Sequence, residues 1–252
     1  MTEREAPKNV PRILLLQARQ PGDSILKHEY ECFVARTRYP TDAFTTVNLA
    51  EERVDRRLLA DVDLVTVGGA GEFSIVEGGF RWYDELLDLM GLIVEREIPM
   101  FASCFGFHAL VQCFGGRLET DPESAEIGTH EIRVTEEGSG DEFFGHLPER
   151  FNAQLGHKDS VVELPDGLVR LAHSERCRVQ AVRVPKKPVV ATQFHPELTA
   201  KDNIERYVRY IQNYKKFEET HEDALARAED IHAPSPEANE LLGRFVERLF
   251  HG

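Results

Sequence analysis

Four short apolar runs, separated by stretches with helical spacing, constrain the fold of this chain more than any other feature. The runs occupy residues 13–16, 45–49, 63–67 and 99–103. Apolar runs of this length are typical of strands buried on both faces, as in a parallel sheet. The stretches that predict helices are 24–38, 56–60, 81–97 and 105–114. Such alternation of strands and helices predicts a parallel sheet covered by helices.

The second half of the chain has a different pattern, with β-rich segments joined by short turns. These segments are 127–135, 168–173, 179–184 and 188–194. They predict antiparallel strands added to the sheet, with 188–194 as a last core strand. A helix is predicted over 203–216 and further helices over 217–252. The expected fold is therefore α/β, a doubly wound, mostly parallel sheet with flanking helices, added antiparallel strands and a helical C-terminal extension.

The composition excludes several classes of function. The chain has 44 acidic against 30 basic side chains, a net charge of −14, which repels phosphate backbones and anionic lipid. No run approaches the length of a membrane-spanning helix. Residues 1–11 are charged, without the apolar core of a signal peptide, and are predicted to be a disordered lead-in. We therefore expect a cytoplasmic protein that binds neither nucleic acid nor membrane.

The cysteine spacing argues against disulfides and structural metals. The four cysteines lie far apart and form no C-x-x-C pair, so neither a disulfide framework nor a zinc pattern is present. His28 and Cys32 are four residues apart on a predicted helix, but two ligands do not make a metal site. No metal is therefore expected.

Cys104 occupies the most informative position of the four. It follows the predicted strand 99–103 and precedes the predicted helix 105–114. Such a tight strand-to-helix turn exposes its residue at the carboxyl edge of the sheet, and a helix N-terminus favours a thiolate. Cys104 is thus a candidate nucleophile, and an inert buried cysteine is the alternative.

A second candidate element follows the last core strand, in the segment Gln193-Phe194-His195-Pro196-Glu197. Proline keeps the preceding residue extended, and residues i and i+2 of an extended chain share a side. Glu197 is therefore placed to orient the imidazole of His195. A base held by a third group is what a cysteine nucleophile needs.

A third element is the glycine-rich segment 68–74, which the pattern places in a loop after the strand 63–67. It is not a dinucleotide fingerprint, because Ser74 stands where the third glycine would be. One interpretation is a flexible turn. The other is a backbone N–H aimed at the nucleophile, forming an oxyanion hole with the N–H of Phe105.

These three elements in this order resemble the class I, or triad, glutamine amidotransferase family. The similarity spans about residues 12–215 and is strongest to the glutaminase domain of GMP synthase and its stand-alone relatives, including γ-glutamyl peptidases. It implies a family domain over 12–216, followed by the extension 217–252. It also implies a catalytic triad of Cys104, His195 and Glu197, and an oxyanion hole formed by the amides of Gly69 and Phe105. His157 and Asp159 resemble the family's glutamine-contacting segment.

Two positions depart from the family pattern. Ala102 replaces a glycine, which is a small change, and His108 replaces the glutamine that helps hold the amino-acid end of the substrate. His108 is therefore either a substrate contact with an altered preference or a packed histidine on the first helical turn.

The resemblance implies an enzyme that hydrolyses the γ-amide of glutamine or a γ-glutamyl compound through a thioester, without a metal or an organic cofactor. Because no Gly-Lys pair of a phosphate loop occurs in the chain, the fate of the amine is open. The chain is either a glutaminase subunit that feeds ammonia to a separate synthetase chain or a self-sufficient hydrolase of γ-glutamyl compounds. A third interpretation, from another class, is a non-catalytic binding or regulatory module on the same fold.

Overall fold

The computed structural model describes residues 10–210 and 221–251. Most of the predicted lead-in over 1–11, the end of the predicted helix 203–216 and the predicted boundary between 216 and 217 lie outside these residues. In the described part of the chain, no helix combines the length and the apolar character needed to cross a membrane.

The structure alternates strands and helices through its first half and then becomes rich in strands. The strands are β1 Ile13–Ala18, β2 Phe44–Asn48, β3 Leu64–Ala70, β4 Met100–Ser103, β5 Arg117–Thr120, β6 Glu126–Val134, β7 Arg150–His157, β8 Asp159–Glu163, β9 Val169–His173, β10 Ala181–Arg183 and β11 Val189–Thr192. The α-helices are α1 Ile25–Thr37, α2 Tyr83–Glu95, α3 Phe105–Cys113, α4 Glu136–Ser139, α5 Ala200–Tyr210, α6 His221–Ile231 and α7 Pro236–His251.

The main sheet has nine strands in the order β2-β1-β3-β4-β11-β10-β9-β6-β7. The first five run parallel to one another, and the strands from β10 to β7 pair antiparallel. This arrangement confirms the predicted fold class. The sequence pattern did not predict β7, or the small separate sheet of β5 and β8.

The parallel strands separate two apolar clusters, because successive side chains of a strand point to opposite faces. On one face, Leu14, Leu16 and Val67 pack with buried residues of α2 and α3. On the other, Ile13 and Leu15 pack with α1 and with α7. The sheet is therefore covered on both sides, as its unbroken apolar runs predict.

The glycine segment corrects one prediction, since Gly68 and Gly69 lie inside β3 and not in a loop after it. The pairing register of β1 with β3 shifts between Leu16 and Ala18, so β3 contains one extra residue there. Such a bulge re-aims the backbone at the end of a strand and is common beside active sites.

The C-terminal helix α7 is part of the core. Its buried residues Leu241, Leu242, Phe245 and Val246 join the apolar cluster against the sheet. The ring of Phe245 lies with its centroid 5.4 Å from that of Phe101 on β4. The C-terminal extension thus closes one face of the sheet that carries Cys104.

We expect Phe245→Ala to lower the free energy of unfolding by about 3–5 kcal/mol, because it leaves a cavity in a fully buried cluster. Urea unfolding followed by circular dichroism measures this loss. The exposed Glu247 on the same helix provides the control, since Glu247→Ala is expected to change stability by less than about 0.5 kcal/mol. Equal effects of the two substitutions would contradict a core role for α7.

Candidate active site

Cys104 lies on a strained turn between β4 and α3. Its backbone has φ 50° and ψ −99°, a conformation that side-chain-bearing residues rarely adopt and that marks a nucleophile elbow. The turn is fixed by a hydrogen bond from the Cys104 N–H to the carbonyl of Thr192 on β11, at 2.8 Å. Gly106 lets the helix approach the sheet, because a Cβ there would lie 2.8 Å from Val67. The predicted elbow is present.

His195 follows β11, which is the parallel neighbour of β4 in the sheet. Its Nδ1 lies 2.7 Å from Oε1 of Glu197, and its ring lies beside the side chain of Cys104, with which it interacts electrostatically. All three side chains are buried. The structure therefore brings together Cys104, His195 and Glu197 in the order that the sequence predicts.

The electrostatics of this group favour a charged imidazole. Burial by itself lowers the pKa of His195, but the charges and hydrogen bonds of Glu197 and Cys104 outweigh it and raise this pKa to about 9. Burial by itself raises the pKa of the Glu197 carboxyl, but His195 and Arg206 outweigh it and keep this pKa below the ordinary value. At neutral pH the site therefore holds an imidazolium between Glu197 and the sulfur of Cys104.

The two residues whose amides are predicted to form the oxyanion hole, Gly69 and Phe105, adjoin Cys104. Gly69 lies against both partners, because a Cβ at this position would be 2.7 Å from Cε1 of His195 and 3.6 Å from Cβ of Cys104. Phe105 is the first residue of α3, and the first N–H groups of a helix have no partner within it. Only glycine fits at position 69, and both amides belong to rigid elements.

A pocket of about 540 Å³, including its open mouth, leads from the surface to Cys104. It is lined by five of the predicted site residues, Cys104, Phe105, His108, His157 and Asp159. Gly71 and Phe73, which sequence reasoning did not select, also line it. The pocket is narrow, since the centre of a water-sized sphere can move through only about 70 Å³ of it.

His108 makes its hydrogen bond to the protein. Its Nε2 lies 2.6 Å from Oε1 of Gln193, which precedes His195 on the same loop. Burial and the nearby His157 lower the pKa of His108 to about 4, against the opposing effects of Asp159 and Gln193. The histidine is therefore a neutral wall of the pocket at physiological pH.

His157 and Asp159 are also held by neighbours. Nε2 of His157 lies 3.2 Å from the buried carboxylate of Glu126. The hydroxyls of Ser74 and Thr120 donate to the carboxylate of Asp159, both at 2.6 Å. These three supporting residues were not predicted, because they come from distant elements and carry no motif of their own.

Two clusters in the described part of the chain each offer three metal-ligating side chains. They are His28 with Cys32 and Asp202, and Glu126 with His157 and Cys177. In the first cluster Asp202 joins the pair seen in the sequence, and His28 forms ion pairs of 3.6 Å with Asp202 and Glu205. In the second, Ser160 and the carbonyl of Ser124 contact Cys177. Each cluster thus has partners within the protein.

The loop of His195 is supported from the C-terminal helix. The side-chain amide of Asn239 on α7 donates to the carbonyls of Pro196 and Leu198, at 3.0 and 2.7 Å. The His195 N–H donates to the carbonyl of Gln154 on β7, at 2.9 Å. The segment that carries His195 and Glu197 is thus held from both flanks.

A cysteine on an elbow beside a buried histidine–carboxylate pair is an arrangement suited to acyl transfer. The family model of class I glutamine amidotransferases matches residues 29–212. The chain therefore belongs to this family, and the predicted family and class of function are confirmed.

The individual relatives agree with this assignment. The chain is similar to a subunit of a glutamine-hydrolysing GMP synthase from Archaeoglobus fulgidus, with 28% identity over 192 residues that cover 75% of this chain and 94% of the relative. It is 32% identical to the corresponding protein from Methanocaldococcus jannaschii over 125 residues, 50% of this chain and 64% of the relative. A glutamine amidotransferase from Thermotoga maritima has the same fold, with a TM-score of 0.70 at 20% identity, covering 95% of this chain and 98% of that one.

Proposed function

We propose that this chain hydrolyses the γ-amide of glutamine or of a γ-glutamyl compound through a thioester on Cys104. One observation carries the proposal. The cysteine on the strained turn lies beside a buried histidine, whose Nδ1 is 2.7 Å from a buried carboxylate. A nucleophile, a base and an orienting group in contact are the geometry of covalent acyl transfer.

The steps follow from that geometry. In the reactive form of the site the proton of the Cys104 thiol has passed to Nε2 of His195, and the thiolate forms a bond to the γ-carbonyl carbon of the substrate. Collapse of the tetrahedral intermediate breaks the C–N bond while the imidazolium gives its proton to the leaving amine. Water then attacks the thioester, passes a proton to His195 and releases glutamate, which restores the thiol.

The negative charge of the intermediate is assigned to the amides of Gly69 and Phe105. The bulge of β3 and the start of α3 fix both groups before the substrate binds. Preorganised donors of this kind stabilise the transition state because they need no reorganisation during the reaction. Glu197 keeps the imidazole oriented and stabilises its charged form.

For the amine product, we propose transfer to a separate synthetase chain as one outcome and release to water as the other. The first is supported by the relatives named as subunits of GMP synthase. The second is supported by His108, which replaces a substrate-holding glutamine of the family and is engaged with Gln193.

Glutamate release by the purified chain alone tests these proposals, with free glutamine and a panel of γ-glutamyl peptides as substrates. Rapid release from a peptide identifies a self-contained hydrolase. Slow release from glutamine only identifies a glutaminase that requires a synthetase. No release, together with a Cys104 inert to iodoacetamide, would contradict an enzymatic role and favour a binding module.

We expect His108→Gln to raise the ratio of glutamine to γ-glutamyl-peptide turnover by about ten-fold, since one hydrogen bond to the substrate contributes about 1.4 kcal/mol. The ratio of kcat/KM values for the two substrates measures the effect. His130→Gln is the control, because His130 is half-buried on β6 and does not line the pocket. An unchanged ratio in His108→Gln would refute a specificity role for this position.

A further inference from the structure

A buried cluster of charges lies directly behind the His195–Glu197 pair. Nη2 of Arg19 lies 2.6 Å from Oε1 of Glu29. Arg206 bridges two carboxylates, with Nη2 at 3.6 Å from Oε1 of Glu29 and Nη1 at 3.4 Å from Oε1 of Glu197. The four side chains, which come from the end of β1, α1, α5 and the loop after β11, are between 0 and 7% exposed. The cluster therefore connects the site to two helices.

Stability alone does not account for this cluster. Removing charges from water is costly, and apolar residues of similar volume often replace a buried ion pair at no loss of stability. Arg206 is also incompletely satisfied, since its Nε and Nη2 are buried without a hydrogen-bond partner. A guanidinium shared between two carboxylates in this way points to a role in the site that it contacts.

The same cluster touches the strand that carries Gly69. A Cβ on Gly68 would lie 2.6 Å from Oε1 of Glu29, so the carboxylate packs directly against the bulge of β3. The hydroxyl of Tyr210 accepts from Nη1 of Arg19 at 2.9 Å and donates to Asp23. Arg19 and Glu29 are thereby anchored to each other and to α5, and Arg206 links this group to Glu197.

We propose that Arg206 is a positioning residue of the reaction, which holds the Glu197 carboxylate in its charged form and in line with His195. This inference rests on the function proposed above. Arg206 reaches the same Glu197 oxygen that accepts from His195 Nδ1. The other oxygen of Glu197 is buried without a hydrogen-bond partner, so Arg206 and His195 together orient the carboxylate.

The electrostatic effect of Arg206 on His195 has a definite sign. The groups around the pair are Cys104 on the turn before α3, Glu197 after β11, Arg206, Tyr207 and Tyr210 on α5, Arg19 after β1, and Glu29 and Cys32 on α1. Arg206 is a cation that shares the Glu197 carboxylate with the imidazolium. Its removal leaves Glu197 to His195 alone, which strengthens the hold of the imidazole on its proton and weakens it as a general acid.

The test compares Arg206→Met with Arg206→Lys in the full chain. We expect Arg206→Met to lower kcat about 10- to 100-fold with little change in KM, because a small misplacement of a catalytic group has an effect of this size. The alkaline limb of its profile of activity against pH is expected to move to higher pH. Arg206→Lys keeps the charge and is expected to retain the wild-type limb while recovering part of kcat.

Arg209→Met is the matched control, since Arg209 lies on the same helix and is 51% exposed. We expect this variant to leave kcat and the alkaline limb of the activity profile unchanged. Arg206→Met leaves buried carboxylates with fewer partners, so thermal unfolding is recorded for each variant. If Arg206→Met does not fold, the double variant Arg206→Met, Glu29→Gln removes one of the unpaired charges and takes its place.

Two results would overturn the inference. One is a folded Arg206→Met or double variant with wild-type kcat. The other is a loss of kcat with an unmoved alkaline limb that Arg206→Lys does not recover, which is the signature of a merely structural role. Turnover that persists in the Cys104→Ser variant would instead refute the proposed function itself. The two failures are therefore distinguishable, because they are seen in different variants.

Discussion

The Cys104→Ser protein is expected to release glutamate at least about 1,000-fold more slowly than the wild-type chain on every substrate, since loss of a nucleophile removes most of the catalysis in enzymes of this type. The hydroxyl of serine holds its proton far more tightly than a thiol does, so His195 no longer generates an anion. The replacement is nearly isosteric on the strained turn, and the fold is expected to be unchanged. Glutamate release and thermal unfolding measured on the same preparation separate these two effects.

Cys113→Ser is the matched control for that experiment. Cys113 is the last residue of helix α3, which begins directly after Cys104. It is half-buried, contacts the carbonyl of Leu87 and does not line the pocket. We expect its turnover to stay within about two-fold of the wild type, as for substitutions away from a site. Full activity in Cys104→Ser would end the proposed mechanism.

Glu197→Gln is expected to reduce kcat by about 10³- to 10⁴-fold, by analogy with the loss of the carboxylate in other triads. The amide keeps the shape of the side chain but no longer stabilises the imidazolium. The carboxylate raises the pKa of His195 to about 9 in the wild type, so its loss lowers this pKa. The alkaline limb of the pH profile is therefore expected to move to lower pH, the reverse of the shift expected for Arg206→Met.

The control for this variant is Glu205→Gln, on the exposed side of α5. Glu205 is 58% exposed and pairs with His28 outside the pocket, so we expect no change in kcat or in the limb. Profiles of kcat and kcat/KM from acid to alkaline pH, with stability checked at each pH, provide the measurement. A Glu197→Gln enzyme with an unmoved limb would show that the carboxylate does not tune His195.

The parts of the site that the sequence predicts are those carried by local chain geometry. An apolar run followed by Cys104 and a helix specifies the elbow. His195 and Glu197 lie together as predicted, but on a turn in which the Leu198 N–H donates to the His195 carbonyl at 3.2 Å, and not on an extended segment. Short apolar runs also predicted the parallel half of the sheet. In each case the physical cause lies within a few residues, where periodicity acts.

The remaining parts depend on contacts between distant segments. Arg19, Glu29 and Arg206 come from three separate elements, and each looks like an ordinary surface charge in the sequence. Gly68 and Gly69 read as a loop, because the pairing with β1 that makes them a bulged strand is not visible locally. The sequence left His108 as either a substrate contact or a packed histidine, and in the structure its Nε2 hydrogen-bonds Gln193.

The position of Asn239 determines where this protein can be truncated without loss of its active-site geometry. The family match stops at residue 212, whereas the amide that holds the backbone on either side of Glu197 belongs to α7. A fragment trimmed to the homologous region would lose that clamp and uncover the phenylalanine-rich face beneath the sheet. A recombinant fragment that ends at the family boundary would therefore keep Cys104 in place but hold His195 less firmly. We expect such a fragment to retain labelling of its thiol and to lose turnover.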